Sequence, residues 1–342
     1  MDHALPLPGS SGLPRVDRRH FIALVLAGTA GVALDGVPMS RLSADGPALT
    51  LASVQRTVSS LAATFDTTAP SKVARVLKGA EHSLMPVLTD NLPASMTRDA
   101  RVAYSQVLAM SATVSSALGE HADAARTADM AASLAVEAGD AQAAGLAWAV
   151  AAGALAKQDG RTRASLDIAR RARAAAGSTP AAVVALLEEA STASRSGQAH
   201  ITLDAVVAAE ETHRRLGDDV WGTPGYPLAT YHPVSVLMYG GFALTRAGLH
   251  DEAAPRLAEA GDLLAGRTSV GLRTFVWLGQ AQAALGAGDV DNAHAYAALA
   301  VELAQTRPTA GVVATIHKLN RDRPGAFTDL VEQVDRWGFS VG

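Results

Sequence analysis

The 342-residue chain contains no cysteine. Disulfides, thiolate nucleophiles and zinc–thiolate sites are therefore excluded, while the compartment stays open, because exported proteins can also lack cysteine. Aromatic residues are scarce, 4% of a chain that is 49% hydrophobic. Sheet interiors favour aromatic and β-branched side chains, so an apolar fraction dominated by alanine points to closely packed helices. No apolar run reaches the roughly 18 residues of a spanning helix. Phe21–Leu34 comes nearest and stops short, so no stable membrane span is expected. Positive charge is not in excess either: the formal net charge is −4, which leaves no global field to attract nucleic acid.

Motifs that carry chemistry are missing as well. There is no phosphate loop ending in Gly-Lys-Ser/Thr, no Gly-x-Gly-x-x-Gly, no His-Glu-x-x-His and no Gly-x-Ser-x-Gly. The histidines are scattered without ligand spacing. GDVDNAH (288–294) lacks the later glycine and the bidentate glutamate of a calcium loop. It reads as an inter-helix turn capped by Asp289 or Asp291. These absences predict a protein that is not an enzyme and that carries no cofactor and no metal. RTRASLDIARRARA (161–174) gathers Arg163, Arg170, Arg171 and Arg173, which reads as the solvated outer face of a helix.

What is present is a repeated texture. Residues 1–15 are broken by Pro6, Pro8, Pro14, Gly9 and Gly12 and read as disordered. Residues 16–47 form an arginine-led apolar leader and a turn-rich linker. From residue 48 to 342, Ala/Leu/Val-rich segments of helical spacing alternate with short breaks, and no period-two strand stands out. Segments align on Gly119, Gly160, Gly197, Gly248 and Gly288, spaced 41, 37, 51 and 40 residues apart. Five residues after the glycine a small residue recurs (Ala124, Ser165, Ala253, Ala293). Twelve residues after it stands Ala131, Ala172, Ala209, Ala260 or Ala300. A glycine reverses the chain, and small residues let two antiparallel helices approach. One such hairpin cannot bury its apolar face alone, so the units must stack. The expected fold is all-α: a solenoid of antiparallel helix pairs, about five to seven hairpins. Thr50–Asp66 with Ser71–Asp90 makes a leading pair, and residues 311–322 with 325–338 make a closing one.

The pattern resembles the tetratricopeptide repeat. Leu237, Gly241, Leu244, Gly248, Ala253, Leu257 and Ala260 occupy the fingerprint places of one unit. Trp277, Ala281, Ala284, Gly288, Ala293, Ala297 and Ala300 occupy those of the next. Linkers exceed the repeat of about 34 residues, and the usual proline between units is mostly missing. Together with the stretch DRRHFIALVLAG (17–28), the array is similar to the C-terminal sensor half of actinobacterial helix-turn-helix regulators. That resemblance implies a protein or peptide partner and a regulatory role as adaptor or sensor. Only 15 residues precede Val16, too few for the DNA-binding domain of such regulators, so no direct DNA binding is expected.

Two features are candidates for binding. GDDVWGTPGYPLATYHP (217–233) collects Trp221, Tyr226, Tyr231 and His232 in an aromatic-poor chain. These side chains either plug an irregular repeat junction or offer a contact surface, to a partner or to a small molecule. The resemblance also implies that first helices line a groove through the positions thirteen, ten, six and three residues before each glycine. In the last two units these include Met238, Phe242, Phe275, Leu278 and Gln282. A groove so lined is weakly charged and turns apolar toward the C-terminal half, which favours an amphipathic helix or hydrophobic peptide over an acidic tail.

The leader allows two readings. Arg18 and Arg19 before the apolar run 21–34 fit a twin-arginine export signal. Asp2 and Asp17 dilute the leading charge, and no polar region precedes the small-residue site Gly31–Ala33. These favour a leader helix docked on the array of a cytoplasmic protein.

Overall fold

A computed structural model describes residues 46–265 and 269–339. The proline-rich start, the arginine-led stretch and most of the linker lie outside these residues. The described residues form fourteen helices and no strand. They are α1 (Pro47–Thr64), α2 (Pro70–Thr89), α3 (Ala94–Ala117), α4 (His121–Ala138), α5 (Ala141–Leu155), α6 (Thr162–Ala176) and α7 (Pro180–Arg195). There follow α8 (Ala199–Leu216), α9 (Pro233–Arg246), α10 (His250–Leu263), α11 (Val270–Gly286), α12 (Val290–Ala304), α13 (Ala310–Asp322) and α14 (Thr328–Asp335).

The described residues form an α-solenoid of seven antiparallel pairs. Each odd-numbered helix packs on its even partner and also on the next odd-numbered helix. The odd helices therefore form a continuous inner layer, and the even ones fill the grooves behind it. The expected leading and closing pairs are α1/α2 and α13/α14.

The repeated glycines do what their spacing predicts. Gly119, Gly160, Gly197, Gly248 and Gly288 all have φ between 70° and 94°. At four of them the next residue's N–H reaches a carbonyl five residues back, as Leu249 N–H does to Leu244 O at 2.9 Å and Asp289 N–H to Ala284 O at 2.9 Å. This turn satisfies carbonyls the helix end would otherwise leave unpaired. The small positions are all sealed: Ala124, Ala131, Ala172, Ala209, Ala253, Ala260, Ala293 and Ala300 have no accessible surface. Ser165, the one hydroxyl in that register, donates to Ala152 O and meets Thr192 Oγ1, both at 2.8 Å. Leu257 of α10 fills the space over two inner-layer glycines. A Cβ on Gly241 would lie 2.6 Å from its Cγ, and one on Gly279 2.7 Å from its Cδ2.

The array also closes on itself. The end of α1 meets the start of α11, where Gly271 N–H donates to Asp66 O at 2.9 Å. Arg307, before α13, donates from Nε to Thr68 O at 3.1 Å. The 217–232 segment supplies a third tie: Tyr226 N–H donates to Ala62 O at 2.8 Å. These ties bring the end of α1 onto the start of α11 and the residues before α13, and the candidate site lies on the inner helices between them.

Candidate functional site

The aromatic segment acts first as packing. Tyr226 is 7% accessible and Tyr231 5%. The Tyr226 ring packs 5.2 Å from Phe65, and its hydroxyl accepts from Thr113 Oγ1 on α3 at 3.4 Å. Gln142 of α5 donates to Leu228 O at 3.0 Å and accepts from Ala181 N–H of α7 at 2.9 Å. Tyr231 O accepts from His213 Nε2 at 2.7 Å. His232 Nδ1 accepts from Val234 N–H at 3.2 Å and caps α9. Trp221 stacks on His213 with centroids 5.9 Å apart and keeps 38% of its surface accessible. The insertion thus fills the early part of the inner face and binds it to α1. Only Trp221 leaves a large aromatic surface free.

The inner-layer positions need correction. Met238 and Leu278 have no accessible surface: ten residues before the glycine, α9 and α11 pack against their neighbours and do not face the groove. Phe242 and Phe275 are half-buried and meet edge to face at 6.1 Å. Gln282 is half-buried, and its Oε1 is buried without a hydrogen-bond partner. On α7 and α9 the inward stripe runs through the positions nine, six and two residues before the glycine. These are Glu188, Ser191 and Arg195 on α7, and Tyr239, Phe242 and Arg246 on α9. Nine and two are seven residues apart, two helical turns, and so share a face. Tyr239 is 47% exposed.

The inner face is also charged, against the expectation of weak charge. Lys157 after α5, Arg195 and Arg246 stand at the ends of successive inner helices, where the helix dipole favours cations. Two of them contact the preceding inner helix. Lys157 Nζ donates to Ser116 Oγ of α3 at 2.8 Å. Arg246 lies 3.5 Å from Ser191 Oγ and 3.4 Å from Ser194 Oγ of α7. Glu188 of α7 lays its carboxylate on Gly153 of α5, where a Cβ would stand 2.7 Å from Oε2. None of these four charged groups forms an ion pair within 4.0 Å of another charge among the described residues.

Titration follows from burial. Burial lowers the Lys157 ammonium from 10.5 to about 8, and Arg195 and Arg246 add to the fall while Glu188 opposes it. Burial pushes the Arg246 guanidinium down, with Arg195 in the same sense. Burial raises Glu188, against the pull of Lys157, Arg195 and Arg246. His121, beside Ser116, is lowered to about 4 by burial, Lys157 and Arg195, so it is neutral at pH 7. Lys157, Arg195 and Tyr239 keep accessible surface, yet enough protein surrounds them for desolvation to be the largest influence on each. Tyr239 also senses Asp66, Glu188 and Arg307. Asp66 is raised by burial, with Arg307 and Ser269 opposing.

The other marked segments are accounted for locally. Arg170 and Arg173 reach Glu189 at 3.0 and 3.4 Å, and Arg171 lies 4.0 Å over the Trp148 ring. Asp289 caps α12 by accepting from Asn292 N–H at 3.1 Å. Among the described residues no cluster of acidic and histidine side chains suited to a metal occurs, and no helix is long and apolar enough to cross a membrane. No protein-family model matches the chain, and no curated protein is similar to it.

The spacing rule places Lys157, three residues before Gly160, on the groove, but it misses Glu188, Arg195, Arg246 and Tyr239. A signal was there: basic residues two or three places before the turn glycine in three successive units. A net charge of −4 hides it by averaging over the outer faces.

Proposed function

We propose that this chain is a non-catalytic, tetratricopeptide-like binding protein that takes a protein or peptide segment on its inner helices, acting as a regulatory adaptor or sensor in the cytoplasm. The observation that carries this reading is Tyr239. A tyrosine 47% exposed on an inner helix, whose hydroxyl makes no hydrogen bond among the described residues, offers an anchor for a bound segment. The repeat register, with its turn glycines and sealed small positions, supports the likeness to tetratricopeptide arrays and through it to sensor halves of regulators. Direct DNA contact is no part of this role.

The test begins with capture of partners from a host extract on immobilised protein, followed by calorimetric titration of fragments of the recovered partner. Tyr239→Ala should weaken the binding fragment at least tenfold. Equal affinity for the two proteins would reject the inner face as the binding surface. N-terminal sequencing of the protein from cells and medium tests the compartment: a mature chain beginning after residue 30 would place it outside the cytoplasm.

A further inference from the structure

The cationic patch has more positive charge than its own fold neutralises. Lys157, Arg195 and Arg246 carry three positive charges, and Glu188 supplies one negative charge. His121 is neutral at pH 7. Asp66 and Arg307 offset each other. The local balance is +2, held on a face with reduced access to bulk water. Helix ends explain why a cation is tolerated at each position; they do not explain three on one face with no counter-ion inside 4.0 Å.

Geometry narrows what would complete the patch. The cations come from α5, α7 and α9, and hydroxyls of Ser116, Ser191 and Ser194 lie within 3.5 Å of Lys157 or Arg246. Glu188 is seated on Gly153, so its carboxylate lies against α5 and not on a guanidinium. Arg195 and the Nε and Nη2 groups of Arg246 make no hydrogen bond among the described residues and keep donors for acceptor oxygens, Arg246 Nη1 is shared between Ser191 and Ser194, and Lys157 adds a point charge. A carboxylate ligand would leave one charge unbalanced. A phosphate monoester carries about −1.5 to −2 at pH 7 and presents three acceptor oxygens, which matches both the charge and the donors.

We propose that Lys157, Arg195 and Arg246 form a subsite for a phosphoryl dianion carried by the ligand. This rests on the inner face being the ligand face. The phosphoryl group comes either from a phosphorylated peptide segment or from a small phosphate ester, and the two sources share this chemistry.

Calorimetric titration of the full chain in about 0.1 M KCl, where charges beyond about 10 Å are screened, compares inorganic phosphate, phenyl phosphate, acetate, and a serine pentapeptide with and without a phosphate. Saturable binding of both phosphates, with acetate at least tenfold weaker, is expected. Arg195→Gln and Arg246→Gln should each weaken phosphate at least tenfold, while Arg161→Gln, on an exposed turn, leaves it unchanged. Lys157→Met should bind phosphate more weakly while melting no lower than the parent, which separates lost binding from lost folding. Absence of saturable phosphate binding, acetate binding as tight as phosphate, or affinity indifferent to both arginine substitutions would each overturn the subsite. A phosphopeptide binding at least tenfold tighter than phenyl phosphate assigns the phosphoryl group to a peptide, and the reverse order assigns it to a small ester. If phosphate binds as expected but the captured partner is insensitive to Tyr239→Ala and Arg246→Gln, the subsite stands and the peptide-binding role of the inner face falls.

Discussion

Lys157 offers a direct test of the charge balance on the inner face. Its ammonium titrates at about 8 in the folded chain against an ordinary value of 10.5, chiefly because burial disfavours the charged form. Between those two pH values the unfolded chain holds a proton that the folded chain has released. Stability therefore rises with pH through that window, and below pH 8 the charged lysine opposes folding in full. The whole displacement would correspond to roughly 3 kcal/mol at about 1.36 kcal/mol per tenfold step. Lys157 keeps more than a third of its surface accessible, and water screening brings the expected cost to about 1 kcal/mol. Urea unfolding at pH 7 and pH 10.5 would measure it, on the parent and on Lys157→Met. Methionine keeps the unbranched stem and removes the charge. Relative to the parent, the variant should be about 1 kcal/mol more stable at pH 7 than at pH 10.5. Loss of the 2.8 Å bond to Ser116 lowers the variant at both pH values and leaves the slope to report the charge. A difference between the two proteins that does not change with pH would refute the reasoning.

Four further outcomes follow from packing and backbone geometry. Leu257→Ala should cost about 2–5 kcal/mol in urea unfolding, because the side chain has no accessible surface and is wedged over Gly241 and Gly279. Gly241→Ala should cost about 1–3 kcal/mol from overpacking, since its Cβ would stand 2.6 Å from Leu257 Cγ. At Gly288 a Cβ meets nothing within 4 Å, so Gly288→Ala should cost only the backbone strain of φ 85°, about 1–2 kcal/mol. Tyr226→Ala should raise amide hydrogen exchange at the end of α1 well above that of α12, because Tyr226 ties that end to the inner face; equal protection in both helices would contradict the closure.

The backbone was legible because alanine, glycine and their spacing report helix approach directly. A glycine followed by small residues at fixed offsets has few structural alternatives, so the sequence alone places Gly248, Ala253 and Ala260. The inward stripe was harder. One residue of helix rotation is about 100°, and that rotation separates a sealed Met238 from an exposed Tyr239. Sequence spacing alone does not set it; the packing of α9 against α7 and α11 does. The aromatic segment was ambiguous for another reason. Tyr226 and Tyr231 carry the same composition signal whether they plug a junction or meet a partner, and only the contact with Thr113, 113 residues away, decides for the plug. The charge cluster was hidden by its construction: Lys157, Glu188, Arg195 and Arg246 lie on three helices and meet only after the solenoid forms.

Closure and charge belong to one argument. An open array would let water reach Lys157 and the arginines, and their positive charge would then carry little cost. Closing the first pair onto α11 and α13 through Asp66, Thr68, Gly271 and Arg307 encloses the inner face, so the uncompensated charge becomes a standing penalty on the empty protein. A ligand that neutralises the patch removes that penalty, and its binding free energy includes the relief. Binding should therefore stabilise the closed array as a unit, with protection at the end of α1 rising together with that of α9. A destabilised closure, as in Tyr226→Ala, should weaken phosphate even though Tyr226 itself lies on the α3 side of the inner face. Phosphate affinity unchanged in Tyr226→Ala, measured where that variant stays folded, would mean that the patch works as an exposed surface and that closure contributes nothing to it.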